Sequence, residues 1–241
     1  MKPDAIYATP LDEIVDFEFD DKVASVFPDM IKRSVPGYST VIATTGVLAK
    51  RYFSANSYIY DLGCSLGAAT LTMRKALQGQ QGKIIAVDNS AAMIERAKVL
   101  LAQDLADFPV EFQQADISRL EIKNASMVVL NYTLQFIQPE QRQKLIDNIY
   151  QGLRPGGILV LSEKIAFEDA HKQPLFIDLH HSFKKANGYS DLEISQKRQA
   201  IDNVLTPETI PQHRERLIQT GFSSADVWFQ CFNFASLLAV K

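Results

Sequence analysis

The residues best suited to do chemistry in this chain lie between positions 61 and 131. Asp61 opens the run Asp61-Leu62-Gly63-Cys64-Ser65-Leu66-Gly67, Asp88 follows 21 residues beyond Gly67, and Asp116 and Asn131 come next. Gly63, Ser65 and Gly67 make a turn tight enough for a ligand to approach the backbone. Dinucleotide folds use G-x-G-x-x-G at such a turn, so that a pyrophosphate can sit against a helix N-terminus. Here an acid precedes the first glycine and would repel a pyrophosphate. It suits a nucleotide-like ligand that presents an ammonium and a sulfonium. An acid about 20 residues past the turn accepts both hydroxyls of a ribose, and Asp116 is placed to meet an adenine amino group. Taken singly, each acid is more often a surface residue than a ligand, and a pair of glycines is often only a structural turn.

The elements that must position these residues can be read from periodicity. Residues 58–62 form an apolar strand, and 67–77 carry a helical repeat. Residues 83–88 make a second strand, and 90–101 a helix with Ser90 as its N-cap. Strands over 110–117 and 126–131 follow, then a helix over 139–153, a turn at 154–157 and a fifth strand over 158–162. This pattern puts Asp61, Asp88, Asp116 and Asn131 at the carboxyl ends of four consecutive strands, the edge where open α/β sheets bind ligands. Thr206-Pro207-Glu208 has the cap-and-N1 pattern of a helix start. Residues 225–229 and 231–240 read as two strands with almost no room between them, a terminal antiparallel hairpin.

The chain therefore divides as one domain, 1–241: an N-terminal cap (1–57), a ligand-binding core (58–163), a helical insertion (164–205) and a terminal helix and hairpin (206–241). Within the cap, residues 38–50 read as a helix lying over the ligand. The insertion leaves the sheet at the ligand edge and holds His180, His181, Lys184, Lys185, Tyr189, Lys197 and Arg198. The adjacent histidines lack a matching cysteine or acid pattern, so no metal site is expected. The 241 residues suffice for one α/β domain with additions, and 46% hydrophobic with 22% charged residues is ordinary globular usage. Cys64 and Cys231 give no disulfide framework. Cys64 reads either as a reactive thiol or as a small residue filling the turn. The absence of a leader-like or membrane-length apolar run points to the cytoplasm and to no membrane contact. The net charge of −3 and the acidic stretch over 12–21 argue against direct nucleic-acid binding and leave a small anionic substrate compatible.

The Asp61–Gly67 run, Asp88, Asp116 and Leu153-Arg154-Pro155-Gly156-Gly157 resemble the S-adenosyl-L-methionine motifs of class I methyltransferases, over roughly residues 58–163. The resemblance implies a Rossmann-like α/β fold: a seven-stranded, mostly parallel sheet with a terminal antiparallel hairpin. Residues 26–38, the segment 228–234 and the replacement of the usual motif by Gly63-Cys64-Ser65 are similar, more narrowly, to the carboxy-S-adenosyl-L-methionine synthase family. That family carboxylates the sulfonium methyl with prephenate as carboxyl source, releasing phenylpyruvate. Its product serves a separate enzyme that modifies the wobble uridine of tRNA to 5-oxyacetyluridine. The likeness implies a homodimer. It further implies cofactor contacts at Tyr38, Asp61, Gly63, Cys64, Ser65, Asp88, Asn89, Asp116, Ile117, Asn131 and Arg198, with Arg198 gripping the added carboxylate.

On the residues alone, Tyr38 also reads as core packing, Asn131 as a strand-end turn former, and Arg198 as a surface arginine on a polar helix. Two other functions fit the same acids: an ordinary small-molecule methyltransferase working by proximity, and a non-catalytic S-adenosylmethionine-binding subunit of an RNA-modifying complex. A dehydrogenase is the weakest rival.

Overall fold

Strand residues of this chain alternate between two apolar faces, so its sheet must be covered on both sides. The computed structural model describes residues 2–241. Its elements run α1 (Asp21–Ser34), α2 (Tyr38–Tyr52), β1 (Ser57–Leu62), α3 (Ala68–Ala76), β2 (Gly82–Asp88), α4 (Ala91–Ala102), β3 (Val110–Gln114), β4 (Ala125–Asn131), α5 (Pro139–Gly152), β5 (Leu153–Ala166), α6 (Lys172–Ala186), α7 (Asp191–Ile201), β6 (Glu208–Thr209), α8 (Ile210–Thr220), β7 (Ser224–Cys231) and β8 (Phe234–Val240). The main sheet has the order β3-β2-β1-β4-β5-β8-β7. Its first five strands are mutually parallel, and β8 runs antiparallel to both β5 and β7.

On one face Tyr60, Leu62, Ile85, Val87, Leu159 and Leu161 pack against Leu145, Ile146 and Ile149 of α5 and Leu217 of α8. Their neighbours Ile59, Ile84, Ala86, Ile158 and Val160 point the other way, toward Ala49 of α2 and Met73 of α3. A third cluster joins Phe17, Val26 and Met30 of the cap to Met93 of α4 and Ala200 of α7. Cap and insertion are also tied by polar contacts. Gln196 accepts from Leu11 N at 2.8 Å and donates to the Tyr7 and Thr9 carbonyls. Tyr189 donates its hydroxyl to buried Asp4 at 2.5 Å. The two added segments therefore form one roof over the carboxyl edge of the sheet.

Three expectations need correction. The sheet has an eighth strand, the two-residue β6, which pairs with the far end of β5 at Ile165 and Ala166. The terminal helix begins at Ile210 rather than at Thr206. Thr209 is its cap, in a reciprocal capping box with Gln212, and the proline of its first turn is Pro211. β5 starts at Leu153, and its turn residues 154–157 bulge out between the Ala125–Leu153 and Met127–Ile158 pairs.

Glu208 explains the first two differences, because it is drawn into the interior by arginines far away in sequence. Fully buried Arg142 lies 2.9 Å from it, and Arg216 grips it with two bonds of 2.8 and 2.5 Å. Glu208→Ala leaves Arg142 buried without its counter-charge, and should cost about 3–5 kcal/mol of stability by denaturant unfolding. Adding Arg142→Met should restore most of that loss, whereas an unchanged midpoint in the single variant would reject the pairing. Burial opposes ionisation of Glu208, but Arg216 and Arg142 prevail and hold its carboxyl below the ordinary range. Its contribution is thus complete above the usual glutamate pKa of about 4.3 and is lost as pH falls through the lowered value.

Candidate functional site

The small-residue turn after β1 is pinned to β2 by its own backbone. Gly63 and Cys64 both donate to the Val87 carbonyl, at 2.8 and 2.9 Å, and Ser65 N donates to Asp88 Oδ2 at 2.8 Å. Gly63, Ser65 and Gly67 all take positive φ, at 76°, 49° and 78°. A Cβ at Gly63 would fall 2.3 Å from Thr133 Oγ1, so only glycine fits where the turn passes the end of β4.

Asp61 is 2% exposed and accepts from Thr70 Oγ1 at 2.5 Å. Burial, with a smaller push from Asp88, raises its carboxyl to about 6 against the Thr70 bonds. Asp88 is raised by burial too, although Ser65 and Ser90 backbone N–H groups bind its two oxygens. Two buried acids side by side make a site that gains from a bound cation and from hydroxyl donors. Cys64 is buried, and its thiol is pushed well up by burial and by both acids, which makes it a packing group and not a nucleophile.

Asn131 closes β4 with both side-chain amide atoms buried and without a hydrogen-bond partner among the described residues. Such an amide normally finds partners, and a ligand in the adjoining space would supply them. Tyr132 follows at φ 60°, and its ring lies 6.3 Å from that of Tyr38 on α2. Burial pushes both hydroxyls up, with Asp61 adding to Tyr38, so both remain protonated donors at neutral pH. Asp116 lies two residues past β3, half-exposed, and accepts from Ser118 N at 2.9 Å and Ser118 Oγ at 2.7 Å; Ile117 beside it is buried.

One cavity of about 900 Å³ unites these groups: Tyr38, Asp61, Gly63, Cys64, Ser65, Asp88, Asn89, Asp116, Ile117 and Asn131 all line it. Its acids, orphaned amide and left-handed turn fit an adenosyl sulfonium amino acid. Asp61 would face the ammonium, Asp88 the ribose and Asp116 the adenine. Arg198 is not among the lining residues. It sits on the outer side of α7 with its side chain 53% exposed, and its Nε lies 3.4 Å from Asp202.

Three further features come from the structure, although the sequence had already placed His180, Lys184 and Lys197 of the third at the ligand edge. Glu163 is fully buried and accepts from the backbone N–H groups of Thr133, Leu134 and Gln135 at 3.3, 2.9 and 3.0 Å. It thereby fixes the turn that presents Asn131 and Tyr132, while burial pushes its carboxyl up to about 8 against those donors. The cap lends Phe19, whose carbonyl accepts from Ser90 Oγ at 2.6 Å and whose ring meets Phe136 at 5.4 Å. The wall formed by β5, α6 and α7 is basic: Lys164, His180, Lys184 and Lys197 line the cavity there. His180 Nε2 lies 2.7 Å from the Ser34 carbonyl, which can only accept, so this nitrogen carries the proton. Burial drives the imidazole pKa to about 3 and keeps the ring neutral.

A family model for a methyltransferase domain matches residues 59–157. Among solved structures, magnesium protoporphyrin IX methyltransferase from Synechocystis, with bound SAH, superposes at a TM-score of 0.61 with 17% identity, over 88% of this chain and 87% of that one. That likeness is one of fold, and it is the class I methyltransferase fold that the motifs implied. The carboxy-S-adenosyl-L-methionine synthase of Vibrio parahaemolyticus is 60% identical over 239 residues, 99% of this chain and 98% of its own. The enzyme of that name from Trichlorobacter lovleyi is 60% identical over 241 residues, 100% and 99% of the two chains. With such identity sustained from end to end and the cavity built as described, the chain belongs to the carboxy-S-adenosyl-L-methionine synthase family.

Proposed function

We propose that this cavity converts S-adenosyl-L-methionine and prephenate into carboxy-S-adenosyl-L-methionine and phenylpyruvate. The product supplies the carboxymethyl group for the 5-oxyacetyl modification of tRNA wobble uridine, through a separate enzyme. The observation that carries the reading is the polarity of one cavity. Buried acids and an orphaned amide suit the sulfonium amino acid, and a basic wall suits an anionic co-substrate. The volume of about 900 Å³ leaves room for both reactants together.

The bound sulfonium supplies an acidified methyl group and the positive charge beside it. The donor's ring carboxylate leaves as carbon dioxide, and the electron pair of that bond aromatises the ring and expels its hydroxyl as hydroxide. Hydroxide takes one methyl proton and departs as water. The electron pair left on that carbon then closes on the carbon dioxide. No side chain has to act as a strong base in this scheme. The protein's part is to hold both reactants in contact, exclude water and stabilise the new carboxylate. Tyr38 and Tyr132, half-buried and protonated, are donors suited to orienting the reacting end of the sulfonium. Arg198 is assigned to the new carboxylate, in a homodimer acting in the cytoplasm and without contacting nucleic acid.

Mass spectrometry of the small molecule released on denaturing the purified protein tests the reading. A sulfonium heavier than S-adenosylmethionine by one carbon dioxide, formed only when prephenate is supplied, is the expected result. Release of S-adenosylmethionine or its demethylated form alone, with no phenylpyruvate on incubation with prephenate, would overturn it.

A further inference from the structure

Lys164 and Lys184 stand in an arrangement that a folded chain does not keep cheaply. Lys164 leaves the far end of β5, and Lys184 closes the last turn of α6; both reach the cavity. Neither ammonium makes a hydrogen bond or an ion pair within 4.0 Å among the described residues, although the cavity wall largely encloses both. Lys197 of α7 backs them, and it alone is partly answered: its Nζ lies 3.1 Å from Ser34 Oγ and 3.9 Å from Asp4 Oδ2. Among the described residues, the acid whose charge is felt by both Lys164 and Lys184 is Asp202, which is exposed and already shared with Arg198. Burying ammonium groups together without counter-charge is costly. An anion entering from the cavity would remove that cost.

The geometry points to Lys164 and Lys184, with Lys197 behind them, as the seat of the dianionic carboxyl donor. This assignment rests on the proposed reaction, whose donor brings two carboxylates into the cavity beside the sulfonium. The placement agrees with the sheet. β5 is two strands away from β1, so Lys164 leaves the sheet about 10 Å from the strand that carries Asp61. That spacing sets the donor beside the sulfonium amino acid without overlapping it. The ligand's charges also sort themselves: acids serve the cationic reactant and lysines the anionic one. The state of the lysines follows from the same positions. Burial, then the neighbouring cations Lys197, Lys164 and Arg198, draws Lys184 down to about 7. Lys197 is drawn to about 8, mainly by burial. A bound dianion reverses both effects. His180, neutral and committed to the Ser34 carbonyl, contributes shape rather than charge.

The test is calorimetric titration of prephenate into protein saturated with S-adenosylhomocysteine, which has no methyl to react, so that binding is read without turnover. Lys164→Met and Lys184→Met are each expected to weaken prephenate at least tenfold. S-adenosylhomocysteine affinity should stay within threefold, and the melting temperature should be unchanged or higher, since a half-buried charge without a partner has been removed. A lysine with only a structural role would lower the melting temperature and spare prephenate. Wild-type protein that forms carboxylated product while both variants bind prephenate as well as it does would overturn the subsite and keep the reaction. Lysine-dependent prephenate binding with no product from S-adenosylmethionine would overturn the reaction and keep the subsite. Wild-type protein that fails to bind prephenate overturns both.

Discussion

Asp88→Asn is expected to weaken S-adenosylmethionine binding by roughly 30- to 200-fold, a loss of about 2–3 kcal/mol. The carboxylate stands at the end of β2, and each of its oxygens already accepts one backbone N–H, from Ser65 at 2.8 Å and Ser90 at 2.9 Å. Its remaining lone pairs face the cavity, where two ribose hydroxyls would donate to a charged acceptor at about 1.5–3 kcal/mol each. Asparagine keeps the volume but turns one oxygen into a donor. That donor must oppose either the Ser65 or the Ser90 N–H, so the site loses its charge, one ribose contact and the geometry of the turn. Equilibrium binding of S-adenosylmethionine to both proteins measures the effect, with the apo melting temperature as a control for the turn. An unchanged dissociation constant would reject Asp88 as the ribose acceptor. The pH dependence of the same binding tests its neighbour. Asp61, raised to about 6 by burial, must be ionised to face an ammonium. Cofactor affinity should therefore be complete above pH 7 and fall as pH is lowered through about 6.

What could be read from the sequence was local. Ser90 caps α4 with a side-chain bond to Met93 N, as its position before an apolar repeat implied. Gly63 and Gly67 take left-handed backbone at a turn that a residue with a Cβ would strain. Asp61, Asp88 and Asn131 end strands whose apolar runs mark them out, and ten of the eleven expected contact residues meet in one cavity. What could not be read depended on partners distant in the chain. The Thr206-Pro207 signal was a sound local cap pattern, yet Arg142 and Arg216 hold Glu208 in the interior and move the cap of α8 to Thr209. Glu163 stood just past the fifth strand as read, with nothing local to mark it, because its three N–H partners lie about 30 positions away. Lys184 and Lys197 were expected at the ligand edge with the insertion, whereas nothing local marked Lys164 at its start. Only the docking of the insertion against β5 and the N-terminal cap brings their charges together.

Arg198→Ala should leave S-adenosylmethionine binding within about threefold and cut carboxylated product about 100-fold, or 2.7 kcal/mol. The side chain is half-exposed, held among the described residues by Asp202 alone, and absent from the cavity lining, so its loss removes nothing that the unmodified sulfonium needs. It is nevertheless close enough to Lys184 and Lys164 for its charge to depress both. A carboxylate formed at the sulfonium methyl would be gripped by two parallel guanidinium bonds, which an ammonium cannot copy. Arg198→Lys should therefore fail to restore product. Equal losses of cofactor binding and product, or no loss of either, would remove the assignment. In the homodimer proposed above, the exposed position leaves open which chain the clamp serves, and a mixed dimer answers it. Pair an Arg198→Ala chain, which keeps Asp88, with an Asp88→Asn chain, which keeps Arg198. If Arg198 reaches into the partner's cavity, one of the two sites is complete and product returns toward half of wild type. If it swings into its own cavity, each site lacks one group and the mixture stays as inactive as its parents.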